Sequence, residues 1–182
     1  MNIKINKSWS LFLDRDGVIN KKLDNDYVKN WQEFKFLPYV KSSLAQLSQF
    51  FKYIIVFSNQ QGIGKNLMTS KDLANIHKQM TAAICKAGGR IDKIYFCPHE
   101  ASRNCLCRKP ALGMALQAKE DFPDIDFRKS IMVGDSEIDM KFGKGLGSRT
   151  VFINKKQVAS SADHVVKNLR EFASLIIPKN SL

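Results

Sequence analysis

The 182-residue sequence predicts an α/β fold with a doubly wound, Rossmann-like parallel sheet flanked by helices. Short runs rich in Ile, Val and Phe do not alternate with polar residues, which is typical of strands buried on both faces. These runs cover residues 9–13, 53–57, 91–96, 130–133 and 150–153. Amphipathic stretches separate them, and strands that alternate with helices favour right-handed βαβ units.

The first three helical stretches each have a start signal. Pro38 precedes the first stretch, Thr69 or Ser70 can cap the second, and Pro110 can open the third. Weaker helical patterns cover residues 136–146 and 168–176, and a last strand is expected at 164–166. We therefore expect five helices around the sheet.

Two finer expectations concern the inner faces of these helices. In the second helix, an apolar stripe should face the core, and Cys85 should be a buried thiol beside it. In the third helix, the residues expected to point inward are Leu112, Ala115 and Leu116.

Composition fits one domain spanning residues 1–182. We see no membrane-spanning run and no secretory leader, so we expect a cytoplasmic protein and a monomer. The net charge of +12 is compatible with nucleic acid, with a small phosphorylated substrate, or with solubility alone. The lysines are spread along the whole chain rather than gathered in a tail, so nucleic acid is not the expected partner.

Polar residues stand where each of the first four strands should end, namely Asp14, Ser58, Cys97 and Asp135. In a doubly wound sheet, ligands bind beyond the carboxyl ends of the strands. The four groups should therefore converge on one crevice, with residues 18–37 forming a loop beside it.

The carboxylates at the ends of two strands suggest metal chemistry. Asp14 and Asp16 lie two residues apart after a fully apolar run, and Asp135 follows another such run. Alone, each pattern could be a turn or a helix cap. Together, the three carboxylates could hold Mg²⁺ through oxygen ligands. A carboxylate beside Mg²⁺ can attack phosphorus and form an aspartyl phosphate.

Groups suited to holding phosphate follow the second strand and precede the third helix. The segment from Ser58 to Lys65 offers a hydroxyl, two glycines and a cation, although taken alone this segment favours a polar loop between a strand and a helix. Lys109 can neutralise a phosphoryl group, and Arg108 can bind a sugar hydroxyl or a second phosphate.

A compact thiol cluster is the most specific feature of the sequence. The residues are Cys97, His99, Cys105 and Cys107, within a loop covering 97–107. Four such ligands can close a tetrahedral Zn²⁺ site with no open position, which is typical of a structural metal. The loop leads directly into Arg108 and Lys109.

Taken in order, these segments resemble the haloacid dehalogenase-like (HAD) phosphatases. The segment Asp14-Arg15-Asp16-Gly17-Val18 resembles their first motif, and Ser58 and Lys109 stand where the second and third fall. Gly134-Asp135 with Asp139 resembles the fourth motif. The thiol loop is similar to that of the subfamily containing heptose 1,7-bisphosphate phosphatases and histidinol phosphatases. The resemblance implies a HAD fold without a large cap domain.

The resemblance also implies roles for individual residues. Asp14 would be the nucleophile and Asp16 the general acid and base. Mg²⁺ would be held by Asp14, Asp135 and the backbone carbonyl of Asp16. Ser58 and Lys109 would hold the phosphoryl group. The remaining expected substrate contacts are Arg108, Asn59, Gln60, Gln61, Asp24 and Tyr27.

The leading hypothesis is a phosphatase that removes the 7-phosphate of D-glycero-D-manno-heptose 1,7-bisphosphate, with Mg²⁺ catalytic and Zn²⁺ structural. Histidinol phosphatase is the rival within the enzyme class. A basic, zinc-stabilised nucleic-acid-binding module is the rival from another class, and a nucleic-acid 3′-phosphatase lies between them.

Overall fold

The computed structural model describes residues 5–154 and 160–177. Its strands are β1 Ser10–Leu13, β2 Tyr53–Asn59, β3 Lys93–Cys97, β4 Ser130–Gly134, β5 Arg149–Ile153 and β6 His164–Val166. Its α-helices are α1 Val40–Leu47, α2 Ser70–Lys86, α3 Gly113–Asp121, α4 Glu137–Gly145 and α5 Leu169–Ile176. The expected strands and helices are therefore confirmed, with small shifts at their ends.

The six strands form one sheet in the order β3-β2-β1-β4-β5-β6, and every neighbouring pair is parallel. The strand order reverses between β1 and β4, which are adjacent in the sheet but far apart in the sequence. Such a reversal opens a crevice at the carboxyl ends of the two strands. The predicted doubly wound sheet is confirmed.

Both faces of the sheet are covered, which explains the uninterrupted apolar strands. Leu11 and Leu13 pack in a core shared with α1, α2 and α5. Phe12 points to the opposite face, into a second core with α3 and α4. All three side chains are fully buried. Because successive residues of a strand point to opposite faces, no polar residue is tolerated between them.

The start of α2 follows the predicted chemistry. Thr69 is the N-cap: its hydroxyl accepts a hydrogen bond from the backbone N–H of Asp72, and the Asp72 carboxylate accepts one from the N–H of Thr69. The reciprocal pair satisfies two N–H groups that a helix start leaves unpaired. Cys85, however, is exposed, so its prediction as a buried thiol was wrong. It lies one residue beyond Ile84, outside the buried stripe of the helix.

The start of α3 also differs from expectation. Pro110 lies in a turn, and the helix begins at Gly113, whose N–H donates to the Leu106 carbonyl. This bond ties the helix start to the thiol loop. It also sets which residues face inward: Ala115 is buried, but Leu116 is 57% exposed, contrary to the prediction.

Candidate active site

A cavity of about 260 Å³ opens at the carboxyl ends of β1 and β4, at the point where the strand order reverses. Carboxylates and cations dominate its walls, and one side is formed by the loop over residues 22–28. The polar residues that line it are Asp14, Asp16, Lys22, Asp26, Tyr27, Asn59, Gln61, Arg108, Lys109, Asp135, Ser136 and Asp139. Of the four strand-end groups expected to converge, Asp14 and Asp135 line this cavity, whereas Ser58 and Cys97 do not.

Asp14 stands at the centre of this cavity. Its backbone N–H donates to the Val133 carbonyl, which extends the β1–β4 pairing by one residue and fixes the side chain over the switch point. The pKa of Asp14 is raised to about 7, and burial is the main cause. The charge of Lys109 opposes this increase, and the nearby Asp139, Asp135 and Asp16 contribute to it. A carboxylate in this position would be stabilised by any added cation.

Lys109 is the buried cation of the site, with 3% of its surface exposed. Its Nζ donates to Oδ1 of Asp14 at 2.8 Å, to Oδ1 of Asp139 at 2.6 Å and to the Phe57 carbonyl at 2.7 Å. Burial alone would lower the pKa of Lys109, but Asp139 and Asp14 outweigh it and raise the pKa. All three ammonium protons have acceptors, so Lys109 remains charged inside the protein.

Three carboxylates meet closely enough to share one metal ion. They are Asp14, Asp135 and Asp139, whose ligand atoms lie within 4.8 Å of one another. Oδ1 of Asp135 is buried and has no hydrogen-bond partner, which a coordinated cation would provide. Oδ2 of Asp135 accepts from Lys22 at 3.0 Å. This oxygen-rich donor set fits Mg²⁺.

The small size of Gly17 makes this arrangement possible. A Cβ atom on Gly17 would lie 2.1 Å from Oδ2 of Asp135, and the residue has a φ of +92°. Both facts require glycine here. Asp139, which sequence analysis assigned to a motif but to no site role, enters the cluster because it lies in the first turn of α4, which begins just after Asp135. The capping-box spacing from Ser136 to Asp139 was the available signal.

The Asp16 carboxylate is held beside the cluster by a dense set of donors. Arg15 Nη2 lies 2.9 Å from both oxygens, Asn20 donates to Oδ1 at 2.8 Å and Gln60 donates to Oδ2 at 2.8 Å. Burial would raise the pKa of Asp16, but the Arg15 charge and these hydrogen bonds outweigh burial and lower the pKa. Sequence analysis did not identify Arg15, which is fully buried.

The carboxyl end of β2 and the residue after it contribute structure as much as cavity lining. Ser58 is buried, and its hydroxyl accepts from the Gln60 amide at 2.7 Å. Asn59 forms a reciprocal pair with the backbone of Lys109, accepting from its N–H at 3.0 Å and donating to its carbonyl at 3.1 Å. Gln60 is 1% exposed.

The remaining expected substrate contacts divide into two groups. Gln61 and Tyr27 line the cavity, and the Gln61 amide donates to the Tyr27 hydroxyl at 2.5 Å. Asp24 is exposed, and the nearby residues Leu23 and Asp26 occupy the cavity wall instead. Sequence analysis did not identify Lys22, which reaches the cavity from the same loop.

The predicted thiol loop brings its four side chains together. Sγ of Cys97 lies 3.4 Å from Sγ of Cys105 and 3.0 Å from Sγ of Cys107, and Nδ1 of His99 lies 3.2 Å from the latter. Ligands of one tetrahedral Zn²⁺ with 2.3 Å bonds stand about 3.8 Å apart. The cluster is therefore compact enough for one zinc ion, and no cavity-lining residue belongs to it.

The three thiols of the cluster differ in acidity, since burial raises the pKa values of Cys97 and Cys107. Burial would raise the pKa of Cys105, but hydrogen bonds from Cys97 and Cys107 lower it to about 6. A thiolate is the form that binds zinc. The Arg108 guanidinium donates to the His99 carbonyl at 3.3 Å, so the cluster also orients the cation that follows it. Among the described residues, no helix is long and apolar enough to span a membrane.

The strand order and the acidic pocket at the switch point together define the HAD-like fold. Residues 11–174 match the model of the polynucleotide kinase 3 phosphatase family. A D-glycero-alpha-D-manno-heptose-1,7-bisphosphate 7-phosphatase of Mycobacterium bovis is 39% identical over 170 residues, covering 91% of this chain and 90% of the relative. A protein of the same name from Campylobacter jejuni is 34% identical, with 96% and 99% covered.

A solved structure gives the same result. The D,D-heptose 1,7-bisphosphate phosphatase of B. bronchiseptica, complexed with magnesium and phosphate, superposes with a TM-score of 0.83 at 28% identity, over 92% of this chain and 97% of that one. The chain therefore belongs to the HAD-like phosphatases, within the polynucleotide kinase 3 phosphatase family. Members of this family hydrolyse phosphate monoesters, which is the reaction class of this protein.

Proposed function

We propose that this protein removes the 7-phosphate of D-glycero-D-manno-heptose 1,7-bisphosphate. The observation that carries the proposal is the meeting of Asp14, Asp135 and Asp139 at the switch point, with the Lys109 ammonium paired to Asp14 and Asp139. The names of the similar proteins supply the substrate. A cavity of about 260 Å³ has room for a small sugar phosphate.

Asp14 is the proposed nucleophile. One of its oxygens attacks phosphorus while the bond from phosphorus to the sugar oxygen breaks, giving an aspartyl phosphate and the sugar alcohol. Lys109, already bonded to Asp14, would share the phosphoryl oxygens and offset their charge. Ser58, at the end of β2, would donate its hydroxyl proton to the same group.

Asp16 is the proposed proton carrier. In the first step its carboxyl gives a proton to the departing sugar oxygen, and in the second its carboxylate takes a proton from the water that attacks phosphorus. Phosphate then leaves, and Asp14 returns as a carboxylate. The lowered pKa of Asp16 suits the second step, and an arriving anionic phosphate favours the protonated form that the first step needs.

Mg²⁺ would be held by the Asp14 and Asp135 carboxylates and the Asp16 carbonyl, with Asp139 adjoining, and would neutralise charge on the transferred group. Zn²⁺ would be held by Cys97, His99, Cys105 and Cys107 and would stabilise the loop that carries Lys109. Arg108 and the Tyr27–Gln61 pair, which line the cavity, would contact the rest of the substrate.

The test is phosphate release from both anomers of the heptose bisphosphate, from histidinol phosphate and from a 3′-phosphorylated oligonucleotide. We expect kcat/KM to be highest for the bisphosphate by orders of magnitude, because a wrong set of polar contacts leaves site groups unpaired. Asp14→Asn should fold, retain zinc and lose activity on all substrates. Preference for histidinol phosphate or the oligonucleotide would overturn the substrate assignment, and an active Asp14→Asn would overturn the mechanism.

A further inference from the structure

Gln60 joins two parts of the site that are distant in the sequence. Its amide Nε2 donates one hydrogen bond to Oδ2 of Asp16 at 2.8 Å and another to the Ser58 hydroxyl at 2.7 Å. The side chain is 1% exposed and is not among the residues that line the cavity. It therefore contacts the groups proposed to act on the substrate, rather than the substrate itself.

The backbone of Gln60 is anchored as firmly as its side chain. Its N–H donates to the Cys97 carbonyl at 2.7 Å, and Cys97 is both the last residue of β3 and the first member of the thiol cluster. Asn59, immediately before it, pairs with Cys97 in the sheet. The Gln60 amide thus extends from a rigid strand end that the cluster also holds.

Arg15, Asn20 and Gln60 share the Asp16 carboxylate. Arg15 contacts both oxygens, with Nη2 2.9 Å from each and Nε 3.1 Å from Oδ2. Asn20 holds Oδ1 and Gln60 holds Oδ2. Of these three donors, Gln60 is the one that also bonds Ser58, so it ties the orientation of the Asp16 carboxyl to the end of β2.

We propose that Gln60 is a positioning residue that sets the Asp16 carboxyl, in register with Ser58, at the place where it exchanges a proton with the leaving oxygen and the attacking water. This inference rests on the proposed function and assigns Gln60 a role different from the substrate contact expected from the sequence. Proton transfer requires hydrogen-bond distance between the acid and the leaving oxygen, so a misplaced carboxyl loses that contribution while nucleophilic attack continues.

Loss of this positioning should slow substrates to different extents, depending on how basic their leaving group is. A sugar alkoxide is strongly basic and needs the proton, whereas p-nitrophenolate leaves without it. For Gln60→Met, similar in length but without N–H donors, we expect kcat/KM on the heptose bisphosphate to fall about 100-fold. On p-nitrophenyl phosphate, kcat/KM should change less than about threefold, since general acid catalysis contributes little there.

Turnover of p-nitrophenyl phosphate should reveal the second step. Hydrolysis of the aspartyl phosphate needs Asp16 as base whichever alcohol has left. In Gln60→Met, kcat on this substrate should therefore fall while kcat/KM stays nearly unchanged. A burst of p-nitrophenol should precede the slow steady state. A substitution that only loosened the fold would not separate the two parameters.

The experiment compares Gln60→Met with Asp16→Asn and with Gln46→Met, an exposed control on α1. Asp16→Asn should show the same leaving-group selectivity, only stronger, and Gln46→Met none. Equal losses on both substrates, a change confined to KM, or unchanged kinetics in Gln60→Met would each overturn the proposal. Asp14→Asn, assayed alongside, tests the proposed function separately: its activity would refute the mechanism whatever Gln60→Met does.

Discussion

The ammonium of Lys109 lies 2.6 Å from Oδ1 of Asp139, and both side chains are almost completely buried. Asp139 also accepts hydrogen bonds from the hydroxyl and N–H of Ser136 through its other oxygen. Each partner therefore satisfies a charge that the protein interior would otherwise disfavour. The ion pair fixes the end of the thiol loop to the start of α4, although the two segments are thirty residues apart in sequence.

Breaking this pair should be costly for stability. Lys109→Met leaves Asp139 and Asp14 buried without their cation, and we expect the free energy of unfolding to fall by about 3–5 kcal/mol. Adding Asp139→Asn should restore part of that loss, because the second change removes one unpaired charge. Urea unfolding of the metal-free proteins measures both effects. Strict additivity of the two losses would show that the pair is not coupled.

Gly17 should matter more for metal binding than for folding. Gly17→Ala and Gly88→Ala both place a side chain at positive φ, +92° and +84°, at a cost of about 1–2 kcal/mol each. Only at Gly17 would the new Cβ meet Asp135, at 2.1 Å; at Gly88 the nearest atom is 3.8 Å away, on Ala45. We expect Gly17→Ala alone to lose Mg²⁺ binding by calorimetry. Equal Mg²⁺ affinity in the two variants would contradict this account.

Zinc should be bound by the cluster and should stabilise the protein. Protein purified without added zinc should contain about one equivalent if four ligands close one site. Cys107→Ser should lose the metal and melt at lower temperature, because binding energy at a structural site is folding energy. Cys85→Ser, at the exposed thiol of α2, is the matched control and should change neither property. Full zinc content in Cys107→Ser would argue against the four-ligand site.

His77 should make stability fall in mild acid. Burial, reinforced by the Arg15 charge, lowers the pKa of His77 to about 3, so the folded protein keeps the ring neutral. The unfolded chain takes up a proton below its ordinary value near 6.5, and stability is therefore lost as the pH falls. Between pH 7 and pH 5 the loss attributable to His77 is about 2 kcal/mol.

Thermal or urea unfolding of His77→Gln across that range isolates the effect. The variant should show a shallower decline in stability between pH 7 and pH 5 than the unmodified protein, because glutamine does not titrate. Identical slopes would mean that His77 titrates with the same pKa in the folded and the unfolded protein, which would contradict the effect of burial and of the Arg15 charge.

Several features could be predicted from the sequence because they depend on neighbours in the chain. The fully apolar strands required a sheet covered on both sides, and the Thr69 signal placed the start of α2. The spacing of Cys97, His99, Cys105 and Cys107 indicated a cluster, since a short loop keeps its members close. Local signals were less reliable where a long-range bond intervened: the Gly113–Leu106 bond moved the start of α3.

The sequence alone determined the sheet, its strand ends and the identity of the chemically active side chains, because residue periodicity and motif spacing are properties of adjacent positions. The tertiary structure decided which side chains touch: it brought Asp139 to Lys109, Gln60 to Asp16, and Lys22 to Asp135. Those contacts arise from sheet order and burial, which bring residues tens of positions apart within hydrogen-bond distance. Burial also sets the pKa values on which proton transfer depends, and burial cannot be inferred from adjacent residues alone.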